Sequence, residues 1–479
     1  MRSKKFISAI LALLIAVCAV PLFAVGCRTG MSSDAFLKTE GELVKNAKGE
    51  KVSLRGVNAG GLFVTEHWMS GFKDNCTDYN DYRSLTKKFI ERFGEDKTKK
   101  LWKEYQANWW SDVDFENCKN MGFNVIRLPF TYMNVDFDAV VSYDKAGKNY
   151  DFSAIENFVS RAADYGLYTI LDLHGAYGSQ NGKDHSGQII NNVSDITFYS
   201  DDKYVDLTVK LWKALSEKFK NNPSVAAYDI LNEPGENACS TTERHWNFYN
   251  KVYDAIRSTG DEHILIMEGL WTGKDLPHPS RYVWENCMYS FHHYAGNLAD
   301  NSYFSSWNDM VSEVFAQKFG VPLYMGEFTA YSSESKWEYS LDLLNRHNWH
   351  WTSWTYKIWN KKGWTSWGIY NVNGTQDDLV DAANDEYDDI LKKFSLMKTD
   401  DAERFKFSSG TSLEDVCKKY ASATYEYDKP QAGTFELLTD SGCIAVSENN
   451  TVIITKDFNN ARKFTLVYEN SIDGNAYFK

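Results

Sequence analysis

The stretches GFNVIRLPF (122–130) and YTILDLH (168–174) decide the fold. Each is a short, mostly apolar run, and neither alternates cleanly between apolar and polar residues. That pattern suits parallel strands covered on both faces rather than strands with one wet side. Working outward, further runs of this kind occur at Val52–Asn58, Ala226–Asn232, His263–Glu268, Met288–His293, Val321–Phe328 and Trp349–Tyr356. With Asn124–Phe130 and Tyr168–His174 they make eight. Helical patterns lie between them. Thr208–Lys220 puts Val209, Leu211, Trp212, Leu215 and Phe219 mostly on one face, and Asn221-Asn222-Pro223 stops it. Eight β/α alternations predict a (β/α)8 TIM barrel over residues 40–400.

Around that barrel the chain has other textures. Val44–Leu54, turning at Asn46–Gly49, reads as a small hairpin closing the barrel bottom. The Gly60–Met121 connection is long and must carry structure of its own, with helices expected at Leu85–Phe93 and Lys97–Asn108. Residues 401–479 read as a small β-rich module, with strands at Phe435–Leu438, Ile444–Ser447, Thr451–Thr455 and Lys463–Tyr468. It reads equally as a glycan binder and as a structural cap.

Residues 1–27 form a targeting segment. Arg2, Lys4 and Lys5 precede the apolar Phe6–Val25, and Ala24-Val25-Gly26-Cys27 resembles a bacterial lipobox. Lipidation of Cys27 is therefore expected, with residues 28–39 as a tether and an extracellular or cell-surface location. No other segment is long and apolar enough to span a membrane. Cys76, Cys118, Cys239, Cys287, Cys417 and Cys443 lack CxxC spacing, so neither zinc nor redox chemistry is indicated, and free thiols are expected. The net charge of −13 disfavours nucleic acid as a partner. Sixteen Trp and 29 Tyr supply many rings on which sugar C–H faces can stack. A monomer is expected.

Barrel enzymes carry their chemistry at the C-terminal ends of strands. Polar residues close the apolar runs here at Asn58, Arg127, His174, Asn232-Glu233, Glu268, His292–Tyr294, Glu327 and Trp354. Buried carboxylates are costly and have no place in simple core filling. Glu233 ends the fourth run and Glu327 the seventh, so the two can meet across the barrel mouth. Paired carboxyls suit glycosidic bond cleavage, by retention at about 5–5.5 Å and by inversion at about 6.5–9.5 Å. Neither HExxH nor GxSxG is present, so no metal or other cofactor is expected.

Seven motifs in order carry a resemblance: Leu54-Arg-Gly-Val-Asn58, Gly122-Phe-Asn-Val-Ile-Arg127, Leu171-Asp-Leu-His174, Asn232-Glu-Pro234, His292-His-Tyr294, Gly326-Glu-Phe328 and Ser353-Trp354. Together they resemble glycoside hydrolase family 5, the cellulase-like family. The resemblance implies a retaining β-glycosidase acting on β-linked oligo- or polysaccharide. Glu327 would be the nucleophile and Glu233 the acid/base, its pKa raised by the Glu327 charge. Arg127 and Tyr294 would align Glu327, and Asn232 would bind the sugar 2-hydroxyl. His174 and His292 would orient the sugar and the acid, and Trp354 would floor the reacting ring. The loops Gly60–Trp68 and His174–Gly187 resemble the exo-β-1,3-glucanase-like branch, where the carboxylates matching Glu66 and Asp184 hold the terminal glucose. Lys183 stands where an aromatic clamp is common and Tyr177 replaces a usual Pro, which leaves β-1,4-glucanase or another β-glycanase open. A non-catalytic glycan-binding lipoprotein is the rival of another class.

Overall fold

The computed structural model describes residues 30–73, 79–235, 242–269, 275–360, 363–400 and 402–424, and the backbone of short strands between 434 and 478. The targeting segment, Cys27, Cys76 and Cys239 lie outside the described residues. No helix among the described residues is long and apolar enough to cross a membrane.

Eight parallel strands close into a barrel, as the apolar runs predict. They are β3 (Arg55–Asn58), β4 (Val125–Thr131), β5 (Tyr168–Gly175), β6 (Val225–Asp229), β7 (Ile264–Glu268), β8 (Cys287–His293), β9 (Leu323–Phe328) and β10 (His350–Ser353). The closing pair is β10 with β3, in register Trp351 to Arg55 and Ser353 to Val57. All seven residues of β4 and all eight of β5 are buried, which explains why those runs lack alternation.

The bottom is closed by a hairpin placed earlier than expected. β1 (Leu37–Glu40) pairs antiparallel with β2 (Leu43–Asn46). Gly41 opens the two-residue turn at φ 57°, a conformation glycine adopts without steric cost. The expected Asn46–Gly49 turn is also present, but its hairpin is reduced to one bridge, Lys45 to Lys51, beside a Val52 N–H to Val44 O bond of 2.9 Å. Leu37, Val44 and Leu54 pack beneath Val125, Ile170, Ala226, Ile264 and Met288.

The β3–β4 connection carries helices Tyr82–Phe93 and Glu95–Trp109, both starting before their expected first residues, and then Asp112–Asn120. Asp81 caps the first of these, accepting from the Ser84 N–H at 2.7 Å.

The chain stays on the barrel past residue 400. β11 (Lys357–Trp359) pairs with β12 (Tyr370–Val372), which pairs antiparallel with β13 (Glu403–Arg404). The Leu413–Ala421 helix follows, and its end is gripped by Arg55, which donates to the carbonyls of Tyr420, Ala421 and Ala423 at 3.1, 3.1 and 2.5 Å. Farther on, Thr434–Glu436, Lys463–Tyr468 and Ala476–Phe478 form one antiparallel sheet. Leu438–Thr439, Gly442–Val446 and Val452–Thr455 form another. Cys118, Cys287 and Cys417 are buried free thiols.

Candidate active site

Arg127, on β4, is fully buried and organises the barrel mouth. Its Nη1 donates to Glu327 Oε1 at 2.8 Å and Asn58 Oδ1 at 3.0 Å. Its Nε donates to Asp229 Oδ2 at 2.9 Å and its Nη2 to Asn232 Oδ1 at 2.9 Å. Asp172 Oδ1 lies 3.2 Å from the same Nη2. A buried guanidinium without such partners would be strongly destabilising, so the ring of acceptors fixes its plane. Asp172 and Asp229, both inside barrel strands, are thus its counter-charges. Burial pushes their carboxyls up, to about 7 and about 6, against the pull of Arg127.

Glu327 ends β9 and is 4% exposed. Besides Arg127, it accepts a 2.6 Å hydrogen bond from the Tyr294 hydroxyl on Oε2. His174 hydrogen-bonds Asp172 Oδ2 through Nδ1 at 2.6 Å, which leaves Nε2 3.9 Å from Glu327 Oε1. Its ring stacks on Trp354, centroids 5.5 Å apart and nearly parallel at 8°. Asn232 keeps a buried Nδ2 without a partner among the described residues, which is a donor in reserve.

Glu233 sits at φ 38°, unusual for a residue with a Cβ. The end of β7 and the loop after β5 hold it there. Its N–H donates to Glu268 Oε2 at 3.0 Å, and its carbonyl accepts from Asn181 Nδ2 at 2.9 Å. On the side chain, Oε1 meets His292 Nδ1 at 2.9 Å and Oε2 meets His185 Nε2 at 3.3 Å. One oxygen of Glu233, one of Glu327 and a ring nitrogen of His292 lie within 4.8 Å of one another. Gly326 makes this possible, because a Cβ there would stand 2.8 Å from His292 Nε2.

The protonation pattern differs from the sequence expectation. Burial alone would raise the Glu233 carboxyl, but the charge of His185, followed by the hydrogen bond and charge of His292, holds it below the usual carboxylate range. His292 itself rises to about 10, because Glu268, Glu327 and Glu233 overcome the cost of burying its cation. The proton expected on Glu233 therefore rests on His292, one hydrogen bond away. The Glu268 carboxyl is itself driven well up, first by burial.

Glu66 and Asp184 do meet. Their carboxylate oxygens and a His185 nitrogen lie within 4.8 Å of one another. The Trp68 indole N–H donates to Glu66 Oε2 at 2.8 Å. Burial, then the Asp184 charge, raises the Glu66 carboxyl well above its ordinary value. His293 turns away to Ser306 Oγ at 3.0 Å. Among the described residues, these two carboxylate–imidazole groups are also the places where an ion could be held. In the first, Glu327 is already tied to Arg127 and Tyr294, and Glu233 to two imidazoles.

Apart from His293, the residues singled out in the barrel thus converge on one mouth. His185 is the residue that sequence reasoning passed over. Its one signal was its place beside Asp184 in the loop after β5. A separate cavity of about 810 Å3, lined by Trp102, Trp110, Phe137 and Phe158, lies elsewhere and contains none of these groups.

Residues 92–361 match the family model described as Cellulase (glycosyl hydrolase family 5). Among curated proteins, a beta-xylosidase of Phanerodontia chrysosporium is 26% identical over 67% of this chain and 71% of its own length. A glucan 1,3-beta-glucosidase of Pichia angusta is 30% identical over 44% of this chain, and the match spans 47% of that protein. The chain thus spans about half the length of that second relative. Among solved structures, an endogalactoceramidase superposes with a TM-score of 0.53 at 18% identity, covering 81% of this chain and 85% of that one. This last likeness concerns the fold.

Proposed function

The chain belongs to the cellulase family, glycosyl hydrolase family 5, and on that premise we propose that it is a retaining β-glycoside hydrolase acting on a β-glucan. The observation that carries the reading is the short span between Glu233 and Glu327, with oxygens within 4.8 Å. Retention needs carboxyls about 5–5.5 Å apart, whereas inversion needs room for a water between them.

Glu327, aligned by Arg127 and Tyr294, attacks the anomeric carbon and forms a glycosyl-enzyme. Glu233 protonates the leaving oxygen and then takes a proton from water. Its proton comes from His292, which is 2.9 Å away. The pair therefore titrates as one unit rather than as two independent groups. Asn232 Nδ2 serves the sugar 2-hydroxyl, where hydrogen bonding strengthens in the transition state. Trp354, stacked on His174, floors the reacting ring.

Glu66, Asp184 and His185 gather at one side of the mouth, which supports a pocket-like end and cutting near chain ends. The relatives' names span β-1,3-glucan and β-xyloside chemistry, so the linkage is tested directly. Hydrolysis of laminarin, cellulose, mannan and xylan with resolved product sizes assigns it. Proton NMR of the first sugar released should show the β anomer, and an α anomer would end the retaining assignment. Glu327→Gln should lower kcat about 10³-fold or more, since it removes the nucleophile. Glu233→Ala should lose most on poor leaving groups and be partly rescued by azide.

The leader at residues 1–27 supports export with a lipid on Cys27 and action at the cell surface. Labelling with radioactive palmitate, lost in Cys27→Ala, is the expected outcome.

A further inference from the structure

Trp364 is the one exposed tryptophan among the described residues, at 40%. It does not stand alone. Its ring centroid lies 5.5 Å from Trp68 and 6.0 Å from Trp367. Trp68 and Trp367 are themselves 4.9 Å apart. Trp367 also meets Tyr331 at 4.7 Å and Tyr294 at 5.9 Å. Trp68 and Trp367 pack on Met69, Trp354 and Ile358. The result is an aromatic band at the rim of the barrel mouth.

Both ends of the band are joined to the site. At one end the Tyr294 hydroxyl donates to Glu327 at 2.6 Å. At the other, the Trp68 indole N–H donates to Glu66 at 2.8 Å. The band is carried by the segments after β3, β8, β9 and β10. The acid, Glu233, follows β6, and its partner His185 follows β5. A leaving group departs over the acid, so the band flanks the opposite, glycone, side of the reacting bond. It also continues outward from Trp354, the floor of the reacting ring.

An exposed indole backed by two half-buried ones makes a contiguous apolar patch, and such patches mark ligand grooves. A pyranose presents a flat C–H face of matching size, with hydroxyls pointing outward to water. We infer that Trp364, backed by Trp68 and Trp367, is a stacking subsite for a second pyranose on the glycone side. The preferred substrate accordingly delivers a β-linked disaccharide glycone rather than a single terminal sugar. This rests on the hydrolase reading above and names the substrate class for that site.

The test compares aryl β-glycosides of glucose, laminaribiose, gentiobiose and cellobiose. The wild-type enzyme should prefer at least one disaccharide glycone. Trp364→Ala should cut that preference in kcat/KM about tenfold, chiefly through KM, and Trp364→Phe should restore most of it. A wild type with no disaccharide preference would overturn the subsite, as would a Trp364→Ala variant that loses the same factor on glucoside and disaccharide. Intrinsic fluorescence titration with the free disaccharides reads the subsite without turnover. Quenching lost in Trp364→Ala supports it, and a wild type that does not respond overturns it. Absence of hydrolysis on every substrate, with that quenching intact, would sink the hydrolase reading and leave the subsite standing.

Discussion

One carboxyl held between two imidazoles sets the chemistry at the scale of single residues. His292 meets Glu233 on Oε1 at 2.9 Å and His185 meets it on Oε2 at 3.3 Å. Both charges depress the carboxyl, with His185 the stronger. Glu66, Asp184 and His174 are the other ionisable groups around His185. Replacing His185 with Asn keeps a polar side chain and removes the imidazole whose charge lowers the Glu233 carboxyl. The sign follows directly: less positive charge raises the pKa of the Glu233–His292 unit, so the pair keeps its shared proton to higher pH. The alkaline limb of kcat/KM should move upward by about one pH unit. A glycosyl fluoride, whose leaving group needs no proton, should show a smaller displacement. If the limb stays in place while only KM rises, His185 is a sugar contact and not part of the acid. None of this was visible in the sequence. His185 is remote from Glu233 along the chain, and only the folded loop after β5 brings it within reach. The expectation of a raised Glu233 pKa failed for the same reason, because it counted Glu327 and missed a second imidazole.

The working unit among the elements is the pair of strand ends β5 and β6, fastened by one amide. Gln180, fully buried, donates from Nε2 to the carbonyls of His174 at 2.8 Å and Asn232 at 2.9 Å. Its Oε1 accepts from the Ala176 N–H at 3.1 Å. This clamp holds the residue preceding Glu233 while the next residue of the loop, Asn181, holds the Glu233 carbonyl. Gln180→Ala strands two buried carbonyls, at about 1–3 kcal/mol each. Thermal unfolding should report that loss, and kcat should fall about tenfold or more as Glu233 leaves its strained φ. Unchanged kcat at a lowered Tm would reduce the clamp to a structural brace. The strands themselves were legible, because a buried parallel strand writes its apolar run in contiguous residues. The convergence of Arg127, Glu327 and Asn232 was legible too, since each ends or lines such a run. The loop clamps were not, because their partners are set by the path of a long connection rather than by periodicity. The bottom hairpin shows the same limit: Gly41 and Gly49 both offer turns, and only packing against the barrel floor chooses between them.

The whole molecule raises the question of where the barrel's own structure ends. A change of texture near residue 400 suggests a boundary there, yet the chain up to 424 contributes to the barrel. β13 extends the β11–β12 sheet, and the Leu413–Ala421 helix packs beside the Glu334–Arg346 helix. Asn345 Nδ2 and Arg55 Nη1 both donate to the Tyr420 carbonyl, at 2.9 and 3.1 Å. Arg55 belongs to β3, so that helix end is bonded to the first barrel strand itself. Cutting after residue 400 would expose Leu413, Val416 and Cys417, each buried at 0–2% exposure, and deprive Arg55 of three acceptors. Burial of two or three such side chains contributes about 1.5–3 kcal/mol apiece, a large part of a typical folding free energy. We therefore propose that the separable module starts near 425, not 401. A chain ending at 424 should unfold cooperatively and hydrolyse an aryl β-glucoside at close to the full-length kcat. One ending at 400 should aggregate or melt far lower. Equal stability of the two truncations would show that the 402–424 segment is dispensable. Lost activity on an aryl glucoside at 424 would instead give the strands beyond it a part in the barrel. If the 424 truncation keeps its activity on the aryl glucoside but loses it on insoluble glucan, the strands beyond 424 hold polymer, and the open choice between glycan binder and cap is decided for the binder.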